Sequence, residues 1–140
     1  MNFVEILPLL FVNLQSLYRK NVRLKGYTFP QIIALYIIPS DGIEMSNLSN
    51  KLGIDLSTLS RLINGLENKK VVKRVKSKLD KRIIKIFLDS KSIELKRIIE
   101  EQFDDIGYII DKKIDSKNLN LYEEILSELN WEISKVLLDK

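Results

Sequence analysis

"LSNKLGIDLSTLSRLINGLENKKVVKRV", residues 48–75, decides the fold, because its periodicity changes partway along. Leu48 and Leu52, then Leu59, Leu62, Ile63 and Leu66, recur at helical spacing, which predicts helices over about 45–52 and 56–69. "LGID" separates them. Gly53 suits the left-handed position just past a helix end, and Asp55 is a good N-cap for the next helix. Two helices joined by a tight glycine turn make a helix-turn-helix. After Lys70 the period drops to two residues, the signature of a strand.

That strand opens a strongly basic stretch. "KRVKSKLDKRIIKIFL" (73–88) carries seven basic side chains against one acidic one, Asp80. "VVKRVK" (71–76) and "RIIKIFL" (82–88) read as two short strands around the charged tip "SKLDK", with Ile84, Ile86 and Leu88 on one face. An antiparallel hairpin beside a helix-turn-helix is a wing.

The flanks are helical. Upstream, Phe3, Ile6, Leu7, Leu10, Phe11, Leu14, Leu17 and Tyr18 predict a helix over 3–20, with Pro8 tolerable near its first turn or at a kink. "RLKGYT" (23–28) breaks that pattern. Thr28 can cap a second helix that holds Pro30 in its first turn and runs to about Ile38, and "PSDG" (39–42) is turn chemistry. Downstream, apolar stripes predict helices over 92–112 and 119–138, separated by "DSKN" (115–118). The fold class expected is mainly α: a winged helix-turn-helix with a small antiparallel β-hairpin, flanked by N- and C-terminal helices. The whole chain, 1–140, reads as one domain, with no internal repeat and no low-complexity linker.

Composition narrows the chemistry. The chain has 140 residues, 45% hydrophobic and 30% charged, with no cysteine and no histidine. Those absences remove disulfides, thiolate and imidazole metal ligands and the commonest general base. They lead to expectations of a cytoplasmic protein with no metal and no cofactor. The longest apolar run, "IIALYII" (32–38), falls far short of the roughly 20 residues of a membrane span, and no basic n-region suggests a signal peptide. The net charge of +4 conceals an asymmetry. Between Lys51 and Ile86 lie eleven basic and three acidic residues, against twelve and sixteen elsewhere. A cationic middle between mildly anionic ends is the footprint of a polyanion-binding surface.

The outward face of the 56–69 helix carries Ser57, Thr58, Ser60, Arg61 and Asn64, and no acidic residue. These are the groups that read base edges in a major groove: Arg suits guanine, Asn adenine, and Ser or Thr a base or a phosphate. Capping is the alternative use for Ser57. The wing supplies Arg74, Lys76, Lys78, Lys81 and Arg82, which suit phosphates and the adjacent minor groove. Lysines guarding a strand edge are the alternative there. Duplex DNA is the expected partner, because no aromatic residue between Lys51 and Ile86 offers a stacking platform for single strands. Two other classes compete. An enzyme would need a nucleophile with its base, paired catalytic carboxylates, a metal cluster or a phosphate cradle, none of which the sequence assembles. A winged helix that binds a protein partner in place of DNA would bind with only a shallow salt dependence.

"TFPQIIALYII", "LSNKLGIDLSTLSRLINGLENKKVVKRV" and "DKRIIKIFL" together resemble the MarR family of winged-helix transcriptional regulators, most densely from Thr28 to Leu88. The resemblance implies a DNA-binding lobe at 28–88 and dimerisation helices at 1–25 and 91–140, hence a homodimer. It implies that Asp80 braces Arg82, which enters the minor groove, and that Trp131 belongs to core or interface. It also implies a pseudo-palindromic operator, a repressor role and release by a small-molecule effector, for which the sequence names no residues. The lack of cysteine and histidine argues against thiol sensing or a histidine-rich zinc site. Lys70 stands where the family usually has glycine.

Overall fold

Local capping chemistry fixes where most of the helices begin. The computed structural model describes residues 1–139. Helix α1 (Phe3–Asn21) starts from a reciprocal box in which Asn2 Oδ1 accepts from the Glu5 N–H and Glu5 Oε2 accepts from the Asn2 N–H, both at 3.0 Å. The helix runs through Pro8, which has no N–H to serve the Val4 carbonyl. Helix α2 (Phe29–Ile37) begins with the same device, Thr28 paired with Gln31, and carries Pro30 in its first turn.

The turn at 39–42 closes with the Gly42 N–H donating to the Pro39 carbonyl at 3.0 Å. Gly42 adopts φ +84°, and a Cβ there would meet the Phe87 ring at 2.6 Å. Both conformation and space demand glycine. Immediately after comes a strand the sequence reading did not anticipate, β1 (Ile43–Glu44). The expected two-stranded hairpin is therefore part of a three-stranded antiparallel sheet.

Helices α3 (Met45–Leu52) and α4 (Leu56–Asn68) form the helix-turn-helix, with Gly53 left-handed at φ +66° between them. The end of α4 is a Schellman motif: Lys70 N–H donates to the Glu67 carbonyl at 2.8 Å and Val71 N–H to the Leu66 carbonyl at 3.2 Å. Lys70 takes the left-handed position at φ +60°, the only residue other than glycine with positive φ among the described residues. That conformation costs a side-chain-bearing residue about 1–2 kcal/mol. Lys70→Gly should accordingly stabilise the protein by about 0.5–1 kcal/mol, part of the relief being lost to glycine's freer unfolded chain. A raised thermal midpoint supports this reading; a lowered one contradicts it.

Strands β2 (Val72–Lys76) and β3 (Ile84–Leu88) pair antiparallel, and β1 adds to the other edge of β3, giving the order β1-β3-β2. The register sets Arg74 opposite Ile86 and Ile43 opposite Ile86 on its other side. Ile86 is fully buried with Leu35, Ile38, Leu48, Leu59, Ile63, Leu66 and Ile99. A buried Ser92 hydroxyl donates to the Val71 carbonyl, and Lys96 Nζ donates to the Ile38 carbonyl at 2.6 Å.

Helix α5 (Ser90–Asp111) follows β3 directly, and α6 (Ser116–Leu138) starts inside the segment expected to separate them, because Asp115 caps it by accepting from the Lys117 N–H. Two compact units result, Met1–Phe103 and a second beginning at Asp104, so the division falls within α5. Helices α1 and α6 bury none of their residues. No described helix is long and apolar enough to cross a membrane.

Candidate nucleic-acid interface

The start of α4 is organised by Asp55. Its carboxylate accepts from the Thr58 N–H and from the Ser57 hydroxyl, each at 2.7 Å. The Thr58 N–H bond, then the Ser57 bond, with the Arg61 charge as a smaller cause, hold the Asp55 carboxyl down at about 2. The carboxylate stays ionised at any pH near neutrality and is committed to the cap. Ser57 spends its hydroxyl hydrogen on this bond and keeps only lone pairs for anything else.

Beyond the first turn the exposed groups on α4 are Arg61, Asn64 and, at its end, Asn68, with Thr58 and Ser60 partly covered. Arg61 forms no ion pair among the described residues. The face holds no carboxylate until Glu67, at the C-terminal end.

Arg74 is placed differently from the other wing cations. Its parity along β2 matches that of the buried Val72, so its side chain leaves the sheet on the α4 side. Nη1 donates to Asn64 Oδ1 at 2.7 Å and lies 2.9 Å from Glu67 Oε1. Nη2 donates to the Ser60 carbonyl at 2.9 Å and to Ser60 Oγ at 3.1 Å. With 26% of its side chain exposed, Arg74 fastens β2 to α4. The structure thus brings Ser60, Asn64 and Arg74 together, with Glu67 as a fourth member that the sequence reading left out.

The wing tip is a second cluster. Ser77 Oγ accepts from the N–H groups of Leu79 and Asp80, and Ser77 N–H donates to the Ile83 carbonyl at 2.9 Å. This compact turn sets Asp80 against Arg82. Asp80 Oδ1 accepts from Arg82 Nε and Oδ2 from Nη2, both at 3.1 Å, and Oδ1 also takes the Arg82 backbone N–H at 3.0 Å. Arg82, chiefly through its side-chain bonds, lowers the Asp80 carboxyl below its ordinary value. The carboxylate orients the guanidinium without covering it: the Arg82 side chain remains 90% exposed. Lys76, Lys78 and Lys81 are exposed around it, and Leu79 at the tip is fully exposed. A cleft of about 330 Å³, lined by Ser46, Leu56, Ser60, Arg82 and Ile83 among others, runs between the starts of α3 and α4 and the wing.

The arrangement is one of donors and cations with its three local acids, Asp55, Glu67 and Asp80, already engaged. Such a surface can neutralise phosphates and offer hydrogen bonds to base edges. The signal for the Arg74 tie was present in the sequence as strand parity, whereas the role of Ser77 in the tip required the folded turn.

Known proteins resemble this chain in sequence and in fold. The MarR family model matches residues 25–83. The HTH-type transcriptional regulator TtmR of Methylorubrum extorquens is 30% identical over 80 residues, 56% of this chain, and the match spans only 41% of TtmR's own length. The HTH-type transcriptional regulator MgrA of Staphylococcus aureus is 26% identical over 123 residues, covering 86% of this chain and 78% of MgrA. The structure of Streptococcus pneumoniae FabT in complex with DNA superposes with a TM-score of 0.75 at 20% identity, covering 94% of this chain and 95% of FabT. At that identity the likeness establishes the winged-helix fold.

Proposed function

We propose that this chain, whose residues 25–83 match the MarR family model, is a MarR-type homodimeric repressor that binds a pseudo-palindromic operator in duplex DNA. Its place of action is the cytoplasm, and the reading assigns it no catalytic step. One observation carries the proposal: the exposed side of α4 offers Ser57, Ser60, Arg61 and Asn64 beside a wing that projects Lys76, Lys78, Lys81 and Arg82. In this reading α4 enters the major groove, with its N-terminal half closest to the bases. The wing lies along the backbone, and Arg82, aimed by Asp80, reaches the minor groove. Arg74 acts from behind the helix.

The dimer is supported by the apolar side chains that the single chain leaves uncovered. Helix α1 exposes Phe3, Val4, Leu9, Phe11 and Val12, and α6 exposes Leu121, Ile125, Leu126 and Val136. Trp131, expected in core or interface, is 63% exposed and so is not core within one chain. Apolar surface on that scale marks an association site, and a second copy related by a two-fold axis is its simplest occupant. The same axis dictates half-sites about one helical turn apart.

Release by a small-molecule effector belongs to the same reading. A cleft of about 340 Å³ is lined by Arg19, Arg23, Lys25, Tyr27 and Phe29, with the Arg19 guanidinium 4.6 Å from the centre of the Phe29 ring. Cations beside aromatic faces suit a small anionic aromatic compound. Nuclease protection on DNA from upstream of the protein's own gene, with light scattering on the complex, tests the main proposal. Two protected half-sites one turn apart and a dimer mass support it; unprotected DNA or a monomer overturns it.

A further inference from the structure

We propose that Leu79 is an apolar DNA contact: the wing tip carries it into the minor groove, where it packs against the sugar walls. The inference rests on the DNA-binding reading above and deepens it by adding an uncharged contact to a wing of cations.

Leu79 stands at the apex of the hairpin, and nothing in the chain covers it. At 101% relative exposure it is the barest large apolar side chain among the described residues, ahead of Met1 and Leu138 at 83%. The turn has no need of it. Turns favour glycine, proline, asparagine, aspartate and serine, and Ser77 and Asp80 are of that kind while Leu79 is not. Apolar surface gains by leaving water, and for Leu79 only a contact outside the chain can provide that.

The tip is built to hold the side chain out. Ser77 Oγ accepts from the N–H groups of Leu79 and Asp80 at 3.2 and 3.3 Å, and the Ile83 N–H donates to the Asp80 carbonyl at 3.0 Å. These bonds order the turn in advance, so less conformational entropy is lost on binding. Asp80, the next residue, holds Arg82 through both carboxylate oxygens at 3.1 Å. Leu79 thus travels with the arginine that the reading places in the minor groove.

Around the apex, Lys76, Lys78, Lys81 and Arg82 are exposed. Their charges suit the phosphates that rim the groove. An aliphatic side chain gains nothing from phosphate. Between the rims, the sugars present C–H surface, and proteins that bind this groove do insert leucine and other apolar side chains. The contact draws its energy from apolar burial, which salt does not screen.

The test uses a duplex selected by the full-length protein from a randomised library. Anisotropy titrations at several salt concentrations compare the parent with Leu79→Ala, Leu79→Met and Leu79→Lys. Leu79→Ala should bind about 4- to 50-fold more weakly, the transfer value of roughly one to three buried carbons. The loss should be equal at every salt concentration, because no charge is removed. Leu79→Met, which keeps the apolar reach, should restore most of the affinity. Hydroxyl-radical footprinting reads the sugars directly, since the radical abstracts their hydrogens from the minor groove. The parent should protect a short run of sugars under each wing that Leu79→Ala leaves open. Thermal midpoints of parent and Leu79→Ala should agree closely, because the side chain is uncovered.

Three outcomes overturn the proposal and leave the DNA-binding reading in place. One is a Leu79→Ala variant with the parent's affinity and footprint. Another is a loss that shrinks as salt rises, the mark of a disturbed phosphate contact. The third is a Leu79→Lys variant that binds more tightly than the parent with a slope steeper by about 0.9, as a purely electrostatic wing would. A parent that selects no sequence and protects no DNA is a different failure, because it removes the DNA-binding reading and this contact with it.

Discussion

Leu59→Ala should lower the stability of the protein by about 2–5 kcal/mol, the cost of a fully buried truncation in α4. Leu59 sits on α4 with none of its surface exposed, among Leu48, Ile63, Leu66 and Ile86, which are equally enclosed. Removing three carbons there forfeits the transfer free energy of the buried atoms and leaves a cavity that a packed core closes only in part. A domain of this size is stable by about 5–15 kcal/mol in total, so the loss is a large share of the whole. The effect reaches function because Leu59 alternates around one helix with the residues proposed to meet DNA. Thr58, Ser60 and Arg61 keep their places only while the opposite face is seated. Leu56, at the start of the same helix and half exposed, supplies the control. Leu56→Ala should move the urea midpoint far less. Equal shifts for the two variants would show that the core is not where the structure puts it.

Arg61→Ala and Arg82→Ala should both weaken DNA binding, and in distinguishable ways. Arg61 is exposed on α4 with no ion-pair partner among the described residues. Its loss should cost about 1–3 kcal/mol on the selected operator and relax the preference at one base, with little change on random duplex. Arg82 is oriented by Asp80 and almost wholly exposed, which is the placement of a group that meets backbone and minor groove. Its loss should weaken binding to all sequences and flatten the dependence of log K on log salt by about 0.9. Anisotropy titrations on operator and random duplex at several salt concentrations separate the two patterns. If both variants bind like the parent, the fold stands and the assignment of these residues falls.

The parts of the fold that could be read from sequence are those set by neighbours along the chain. Thr28, Gly53 and Asp55 act within four residues of themselves, so their capping and turn roles follow from residue type and spacing. Strand β1 could not be read that way. It is two residues long, and what makes Ile43 a strand residue is its pairing with Ile86, far away in the sequence. The beginning of α6 was placed too late because "DSKN" has turn composition, yet its aspartate acts as a cap and its remaining residues as the first turn.

Arg74 carries the sharpest lesson for the candidate site. Counting charge groups it with the other wing cations. Counting strand parity puts it with Val72, on the side of the sheet that faces α4, and the structure follows parity. Lys76 shares that parity but lies at the strand end, where it is exposed. The apolar stripes of α1 and α6 were visible in the sequence as amphipathic patterns, but a pattern cannot say whether its cover is the same chain or another copy. In the folded chain neither stripe is buried, and many of their large apolar side chains stay exposed.

The central claim is that this surface is built for duplex DNA, and one titration tests it most directly: fluorescence anisotropy of a labelled duplex from upstream of the protein's own gene, repeated across a salt series. Binding that neutralises at least five phosphates gives a straight line of log K against log salt with a slope of about −4.5 or steeper, and the duplex beats a random one by a large factor. Weak binding with a shallow slope and no preference between the duplexes would contradict the account, and would leave a winged helix whose partner is a protein.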